Sequence, residues 1–332
     1  MFRIVCRVIV EQQGDGRSDT FTFSAVNKVT VSRSFDKQTQ TASVTLPRNV
    51  TYDKKNIYEG ANALMRRGDK IKIIAAYYPN ETVIFTGYIS KINNNVPIEI
   101  LCEDEMFLLK QTIAPNLVFP TSVDLNTFIG KMLTNINIPY KVDLTAQLGQ
   151  FRLSEASVGK VLQVLRDQYG LFSFFVNGVL RVGLPFYKDE AMKAVFLFEK
   201  MVKEGMGLTY LKKDDVKVLV KGILVNNGVF EDPVIYPKGA TDGDVRTVFQ
   251  LGGTKADLDA KCNSFLEQSN YTGYYGNFKT FLEPLVVPGD YAVIDSWKYP
   301  ERKGKYLIKS VITEVSTSEG GKQTIELERR IA

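Results

Sequence analysis

One β-unit occurs twice in this chain, at widely separated positions. The copies cover residues 68–101 and 289–327, and each begins with a Gly-Asp pair. An alternating apolar strand, a returning strand and an Ile-Glu-apolar segment then follow in the same order. Gly-Asp pairs are typical of turns, and alternation of period two is typical of half-buried strands. The repetition therefore predicts two similar β-domains, so that one chain can imitate two subunits. The matching segments are Gly68-Asp69 with Gly289-Asp290, and Ile98-Glu99-Ile100-Leu101 with Ile325-Glu326-Leu327.

Residues 1–105 follow a strand pattern throughout. Their apolar residues alternate with polar ones, and Pro47 ends one of the alternating runs. About six short strands at close spacing are typical of a small antiparallel barrel or sandwich. We therefore predict a first β-barrel domain over residues 1–105. The alternating apolar positions include Ile4, Cys6, Val8, Val10, Phe21, Phe23, Val29, Val31, Ala42, Val44 and Leu46.

Residues 106–205 change to a mixed pattern. Apolar residues recur at helical spacing over residues 125–136, with Thr121 or Ser122 as the predicted N-cap. A second amphipathic helix is predicted over residues 158–169, between Ser157 as N-cap and Gly170 as stop. A hairpin with an Asn177-Gly178 turn follows. This segment is predicted to be an α/β domain, in which residues 191–203 fit either a helix or a strand.

Residues 206–332 return to the strand pattern, which resumes at residues 216–220. One helix is predicted from Thr254, with Asp257 as its capping partner. The second copy of the β-unit follows, with Gly320-Gly321 as its hairpin turn. The predicted fold class is therefore mainly β with an α/β insertion. Two similar small β-barrel domains, 1–105 and 206–332, flank the middle domain.

The composition limits the chemistry that this chain can perform. It contains no histidine, which excludes Ser-His and Cys-His nucleophiles and most catalytic zinc sites. The three cysteines, Cys6, Cys102 and Cys262, are far apart and odd in number, which argues against a disulfide framework. No apolar run is long enough to span a membrane, and the alternating start favours a strand over a signal peptide. We therefore expect a non-enzymatic protein that folds in the cytoplasm of the producing cell. An enzyme that hydrolyses its substrate with carboxylates alone is a further alternative.

Four segments are candidate sites for metal, phosphate or polyanions. Residues 103–105 are all acidic, but adjacent strand residues face opposite sides, so a charged strand end is the preferred interpretation. Asp15 and Asp19 resemble a calcium loop, although Arg17 stands where a ligand oxygen is needed. Residues 252–255 precede a helix but lack the spacing of a phosphate-binding loop. The net charge of +5 is spread along the chain, and a lysine cluster is interrupted by acidic residues. That cluster contains Lys212, Lys213, Lys217 and Lys221, with Asp214 and Asp215 among them. We predict no catalytic, cofactor-binding or metal-binding residues.

An aromatic stretch near the end of the chain has two interpretations. It is interleaved with Gly273 and Gly276, which suits a strand packed between the helix and the barrel. The alternative is an exposed surface on which glycans or nucleic-acid bases stack, or which contacts another subunit. That alternative predicts a glycan- or nucleic-acid-binding β protein. The residues concerned are Tyr271, Tyr274, Tyr275, Phe278 and Phe281.

The order of these parts resembles the baseplate hub, or tail hub, proteins of contractile-tailed phages. The hub region of type VI secretion spike proteins is related to them. The resemblance is carried by the helix at residues 254–268, the strand at 273–276, the segments 288–290, 306–311 and 320–327, and the return strand at 82–89.

The resemblance implies an assembly role. Hubs of this kind form homotrimers in which each chain supplies two tube-like barrels, giving a pseudo-sixfold ring. Such a ring joins the sixfold tail tube to a threefold spike protein, within the virion tail or baseplate. Its lumen passes DNA or a tape-measure protein, and no membrane span or cofactor is implied. The last strand ends close to Ala332, so we expect any membrane-piercing tip to belong to a separate protein.

Overall fold

The computed structural model describes residues 3–47, 51–52, 55–56, 64–93, 97–183, 191–201, 207–215, 217–227 and 229–331. These residues are mainly β, as predicted, and within them no helix is long and apolar enough to cross a membrane. The first strands are β1 (Ile4–Glu11), β2 (Thr20–Phe23), β3 (Lys28–Ser34), β4 (Thr41–Leu46), β5 (Thr51–Tyr52), β6 (Lys55–Asn56), β7 (Lys70–Tyr77), β8 (Val83–Asn93) and β9 (Ile98–Glu103).

The middle of the chain alternates short helices and strands. Its elements are α1 (Met106–Gln111), β10 (Leu117–Phe119), β11 (Val123–Asp124), α2 (Leu125–Met132), β12 (Tyr140–Val142), β13 (Gln147–Leu148), β14 (Phe151–Leu153), α3 (Val158–Tyr169), β15 (Phe172–Val176), β16 (Val179–Gly183) and β17 (Lys193–Leu197). The remaining elements are β18 (Thr209–Leu211), β19 (Val218–Asn226), β20 (Val229–Phe230), β21 (Val234–Tyr236), β22 (Asp244–Leu251), α4 (Lys255–Ser269), β23 (Gly273–Tyr275), β24 (Asn277–Phe281), β25 (Tyr291–Asp295), β26 (Gly304–Ser316) and β27 (Gly320–Arg330).

One twelve-stranded sheet joins the two ends of the chain. Its main path runs β17-β25-β26-β3-β4-β9-β8-β7-β1-β2, and β27 and β24 extend it from the other side of β26. The sequence predicted two separate small barrels. In the part of the chain that the structure describes, both β-units instead belong to this one sheet, and no sheet closes on itself. The units are joined because β26 is long enough to pair with β25 along its first half and with β3 along its second.

Several local predictions are confirmed. The Ser157 side chain caps α3 by accepting from the Lys160 N–H at 3.3 Å, and Gly170 ends the helix in the left-handed region. Thr254 and Asp257 form the predicted capping box at the start of α4. The hairpin β15–β16 turns at Asn177-Gly178, both with positive φ. These signals are local in sequence, so they are readable before any tertiary contact is known.

Other local predictions are wrong or incomplete. The N-cap of α2 is Asp124, whose side chain accepts from the Thr127 N–H, and neither Thr121 nor Ser122 caps the helix. The ambiguous segment 191–203 contains strand β17, because pairing with β25 in the large sheet outweighs its helix propensity. Helix α1 follows β9 directly and was not predicted.

Four hydrophobic clusters form the described core. The first cluster is formed by buried side chains mainly from strands β1 to β9. A smaller cluster packs against β25, β26 and β27. The cluster of the middle segment also receives Val225, Ile223, Phe249 and Leu251 from β19 and β22. The predicted boundary at 105/106 falls between β9 and α1. The boundary at 205/206 lies outside the described residues, and the three-domain division remains a prediction.

Replacement of Gly87 by alanine is expected to destabilise the first β-unit by about 2 kcal/mol, because overpacking of a rigid site costs this much. A Cβ atom at Gly87 would overlap the backbone carbonyl of Glu103 on β9, which cannot rotate away. Urea unfolding of Gly87→Ala measures the loss. Thr86→Ala is the matched control, since Thr86 is exposed on the same strand. Equal stability of the two variants would contradict the expected clash.

Candidate assembly interface

The two Gly-Asp turns have the same backbone geometry. Turn 1 (Gly68-Asp69) and turn 2 (Gly289-Asp290) place their glycines at φ values of 93° and 90°. In turn 1 the glycine N–H donates to the Ile89 carbonyl at 2.8 Å, and the Ile89 N–H returns to the aspartate carbonyl at 2.9 Å. In turn 2 the same two bonds involve Ile308, at 3.0 and 2.9 Å. The turns are therefore equivalent anchors of β8 and β26.

Both aspartate side chains of these turns are buried, at 1% and 2% exposure. The Asp69 carboxylate accepts the backbone N–H of Gln13 at 3.0 Å and that of Arg66 at 2.7 Å. The Asp290 carboxylate accepts the N–H of Met192 at 2.9 Å and that of Val287 at 2.9 Å. In each unit the carboxylate thus ties its own turn to a segment far away in sequence. The sequence revealed these two aspartates only as turn residues.

A β-bulge follows each anchor and fixes how the two copies correspond. In β8 the register with β9 shifts between Ile89 and Lys91, and in β26 the register with β27 shifts between Ile308 and Ser310. Counted from the bulges, Ile100 of β9 corresponds to Ile325 of β27. The repeat is therefore real as a three-strand meander, but the sequence match of Ile98 to Ile325 was displaced by two residues, because the bulges and strand lengths are invisible in the sequence.

A fourth strand completes the equivalence. β4 lies antiparallel beside β9, and β24 lies antiparallel beside β27. The units therefore share the spatial orders β7-β8-β9-β4 and β25-β26-β27-β24, with the strands following one another in the same order along the chain. The flanking strands differ, since β1 pairs antiparallel with β7 whereas β17 pairs parallel with β25. The common part is a four-stranded unit, smaller than the predicted domains.

The junction between the two units is a backbone ladder. Residues Ser310–Ser316 of β26 pair with Lys28–Ser34 of β3 in unbroken antiparallel register. Val311 and Val315 point into the core together with Val29 and Val31. On the opposite face Lys28 Nζ lies 3.0 Å from the Glu314 carboxylate across the junction. The chain therefore holds its two units side by side as continuous sheet.

The face of this sheet opposite the core is mainly polar. Hydroxyl and carboxylate side chains on it hydrogen-bond between neighbouring strands. Ser43 donates to Glu99 at 3.0 Å in the first unit, and Ser310 donates to Glu326 at 2.7 Å in the second. The polar side chains on this face of β3 and β4 include Thr30, Ser32, Thr41 and Thr45. Polar groups thus dominate this face, which suits contact with water.

The aromatic stretch near the end of the chain lies largely inside the protein. Tyr274 is 2% exposed, Phe278 is fully buried against Phe196, and both belong to the core of the second unit. Tyr271 and Tyr275 are half-buried and stack on each other at 4.4 Å. Phe281 is the exposed member, at 56%. The stretch is thus mainly a packing strand and offers no row of free rings for ligand stacking.

The acidic run at residues 103–105 serves structure. Asp104 is buried, and its carboxylate accepts the backbone N–H of Gln40 and of Met106 at 3.1 Å each. Burial raises the pKa of Asp104 to about 7. Glu103 pairs with Lys110 at 2.8 Å. The carboxylates of the run are therefore directed to different partners and form no shared site.

The other candidate segments also have structural roles. Asp15 lies 3.6 Å from Arg66, whereas Arg17 pairs with the buried Asp69 at 2.7 Å. Asp257 closes the capping box of α4, and Gly252 and Gly253 before it have positive φ values of 77° and 91°. Within the described ranges no group of three metal-ligating residues exists. In the lysine cluster, Lys217 pairs with Asp242 at 3.0 Å on the exposed surface.

Solved structures of tail proteins share this fold. The tail protein from Neisseria meningitidis MC58 matches with a TM-score of 0.61 at 13% identity, over 99% of this chain and 96% of that chain. The 43 kDa tail protein of prophage MuSo2 from Shewanella oneidensis matches at 0.58 and 12% identity, over 97% and 98%. The E. coli c3393 protein matches at 0.54 and 9%, over 92% and 76%. The c3393 protein is a component of the type VI secretion system and is structurally similar to the T4 bacteriophage tail proteins gp27 and gp5.

The chain therefore has the fold of phage tail proteins and of a type VI secretion component over nearly its full length. The resemblance predicted from the sequence is confirmed for the fold. No protein-family model matches the sequence, and neither does any curated protein.

Proposed function

We propose that this protein is the structural hub of a phage tail or related contractile injection machine. Three copies form a ring in which each chain contributes two equivalent tube-like units. The observation that carries the proposal is the junction of β3 with β26, which sets two equivalent four-stranded units side by side within one chain. The fold shared with tail proteins over nearly the whole chain supports it.

A ring of this kind combines sixfold and threefold repetition. Three chains with two units each present six similar faces, which match a sixfold tail tube, while the parts that occur once per chain repeat three times. The predicted middle domain (residues 106–205) and the segment from β19 to α4 occur once per chain. Each is therefore present three times in the ring, which suits contact with a threefold spike protein. The polar sheet face lines the passage for DNA or a tape-measure protein. The protein then acts by position within the virion tail or baseplate and catalyses no reaction.

The purified protein is expected to have three times the monomer mass by size-exclusion chromatography with light scattering. Negative-stain electron microscopy is expected to show rings with an apparent sixfold outline. The physical reason is that a closed ring removes the exposed sheet edges of each copy. A strictly monomeric protein at high concentration, with no rings in the presence of its tube and spike proteins, would overturn the proposal.

A further inference from the structure

The two equivalent strands β8 and β26 differ in one respect. On one side, β8 pairs with β9 and β26 pairs with β27. On the other side, the first half of β8 pairs with β7 and the first half of β26 pairs with β25. On that same side, the second half of β26 is filled by β3 of the same chain. Among the described strands, none pairs with the corresponding part of β8, which begins after the bulge at Lys91. A position that is occupied in one unit is thus open in the other.

We propose that this open edge of β8, Lys91–Asn93, is filled by a second copy of this chain. The proposal rests on the proposed ring and identifies the surface through which it closes. It follows from the repeat, because the β26 edge shows that a unit of this kind accepts a strand from its neighbour at this position. An edge strand with free backbone groups is also a ready template for pairing.

The backbone direction at Ile92 supports the pairing. Ile89 directs both its N–H and its carbonyl toward turn 1, on the side of the open edge. The bulge places Ser90 and Lys91 together opposite Leu101, so the backbone groups of Ile92 return to the side that Ile89 faces. The equivalent residue in the second unit is Val311, which pairs with Arg33 of β3. Ile92 therefore offers the donor and acceptor that Val311 uses within the chain.

The opposite end of the same sheet identifies which part of the second copy fills the edge. β4, the equivalent of β24, is flanked on its outer side by β3, the strand that fills the β26 edge. In the second unit the Gly207 N–H donates to the Asn277 carbonyl of β24 at 2.9 Å, and β18 continues in the same register by pairing antiparallel with β23. β18 is therefore the equivalent of β3, and among the described strands only β23 pairs with it. By the same rule β18 of one copy fills the β8 edge of the next, which closes a ring of continuous sheet.

Substitution of Ile92 by proline tests the proposal. Proline removes the N–H directed at the second copy and places its ring at the edge, while the ladder with β9 keeps its bonds. We expect Ile92→Pro to weaken association by roughly tenfold or more at each interface, with an unchanged circular-dichroism spectrum. Ile92→Val keeps the N–H and is expected to remain trimeric. A folded Ile92→Pro protein that is still trimeric would overturn the proposal.

Hydrogen exchange of the wild-type protein decides the matter if Ile92→Pro does not fold. The peptide that contains Lys91–Asn93 is expected to exchange more slowly in the trimer than in the dissociated chain at low concentration. Equal exchange in both states would overturn the assignment of the interface while leaving the trimer intact. A wild-type protein that forms no trimer would instead count against the proposed function, so the two failures are distinguishable.

Discussion

Substitution of Asp290 by alanine is expected to lower the free energy of unfolding by about 3 kcal/mol, because two backbone N–H groups, one in turn 2 and one in a distant segment, lose their carboxylate acceptor. Asp290 is 2% exposed and accepts the N–H groups of Met192 and Val287 at 2.9 Å. The carboxylate links turn 2 to the segment that leads into β17. Its removal is therefore expected to loosen both β25 and β17. Urea unfolding followed by circular dichroism measures the change.

Two controls separate this role from a general effect of removing charge. Asp290→Asn keeps one carbonyl acceptor and is expected to lose less stability than Asp290→Ala. Asp242→Ala removes an exposed carboxylate, and its effect is expected to stay within about 0.5 kcal/mol. Asp69→Ala is expected to match Asp290→Ala or exceed it, since Asp69 also holds Arg17 at 2.7 Å. A loss for Asp290→Ala no larger than that for Asp242→Ala would refute the anchoring role.

The sequence predicted those features that depend on a few adjacent residues. Ser157 and Thr254 cap helices, and Asn177-Gly178 forms a hairpin, because the groups that satisfy each other lie within four residues. The duplicated meander was also readable, since alternation and turn residues recur in both copies. Even there, the predicted correspondence of the third strand is displaced by two residues, because Ile98 and Ile100 lie on the same face of β9 and the alternation fits either alignment.

Features that depend on residues far apart in the sequence could not be predicted. The sequence gives no sign that β3 pairs with β26, since both strands show the same alternation as any half-buried strand. Asp69 and Asp290 looked like ordinary turn residues, because burial of their carboxylates is decided by segments that approach from elsewhere. For the same reason the sequence predicted two closed barrels where the described strands share one sheet.

The junction links fold to assembly. β26 pairs with β25 and with β3 along the same side. It is therefore longer than the pairing with β25 alone requires. In β26 that extra length pairs with β3 of the same chain, whereas no described strand fills the equivalent side of β8. The repeat therefore contains one position at which a strand of a neighbouring unit can pair. This position, more than any single side chain, supports an assembly role over ligand binding.

Substitution of Phe278 by alanine is expected to lower the free energy of unfolding by about 3–5 kcal/mol, because a fully buried ring leaves a cavity. Phe278 packs on Phe196 at 5.1 Å between ring centroids, under the ladder of β24 with β27. Phe281→Ala on the same strand is the matched control, since that ring is 56% exposed and its loss is expected to cost less than about 1 kcal/mol. Urea midpoints at equal protein concentration give the comparison. If both variants kept wild-type stability while binding to single-stranded DNA or a glycan fell, the aromatic stretch would be a ligand surface and its assignment to the core would fail.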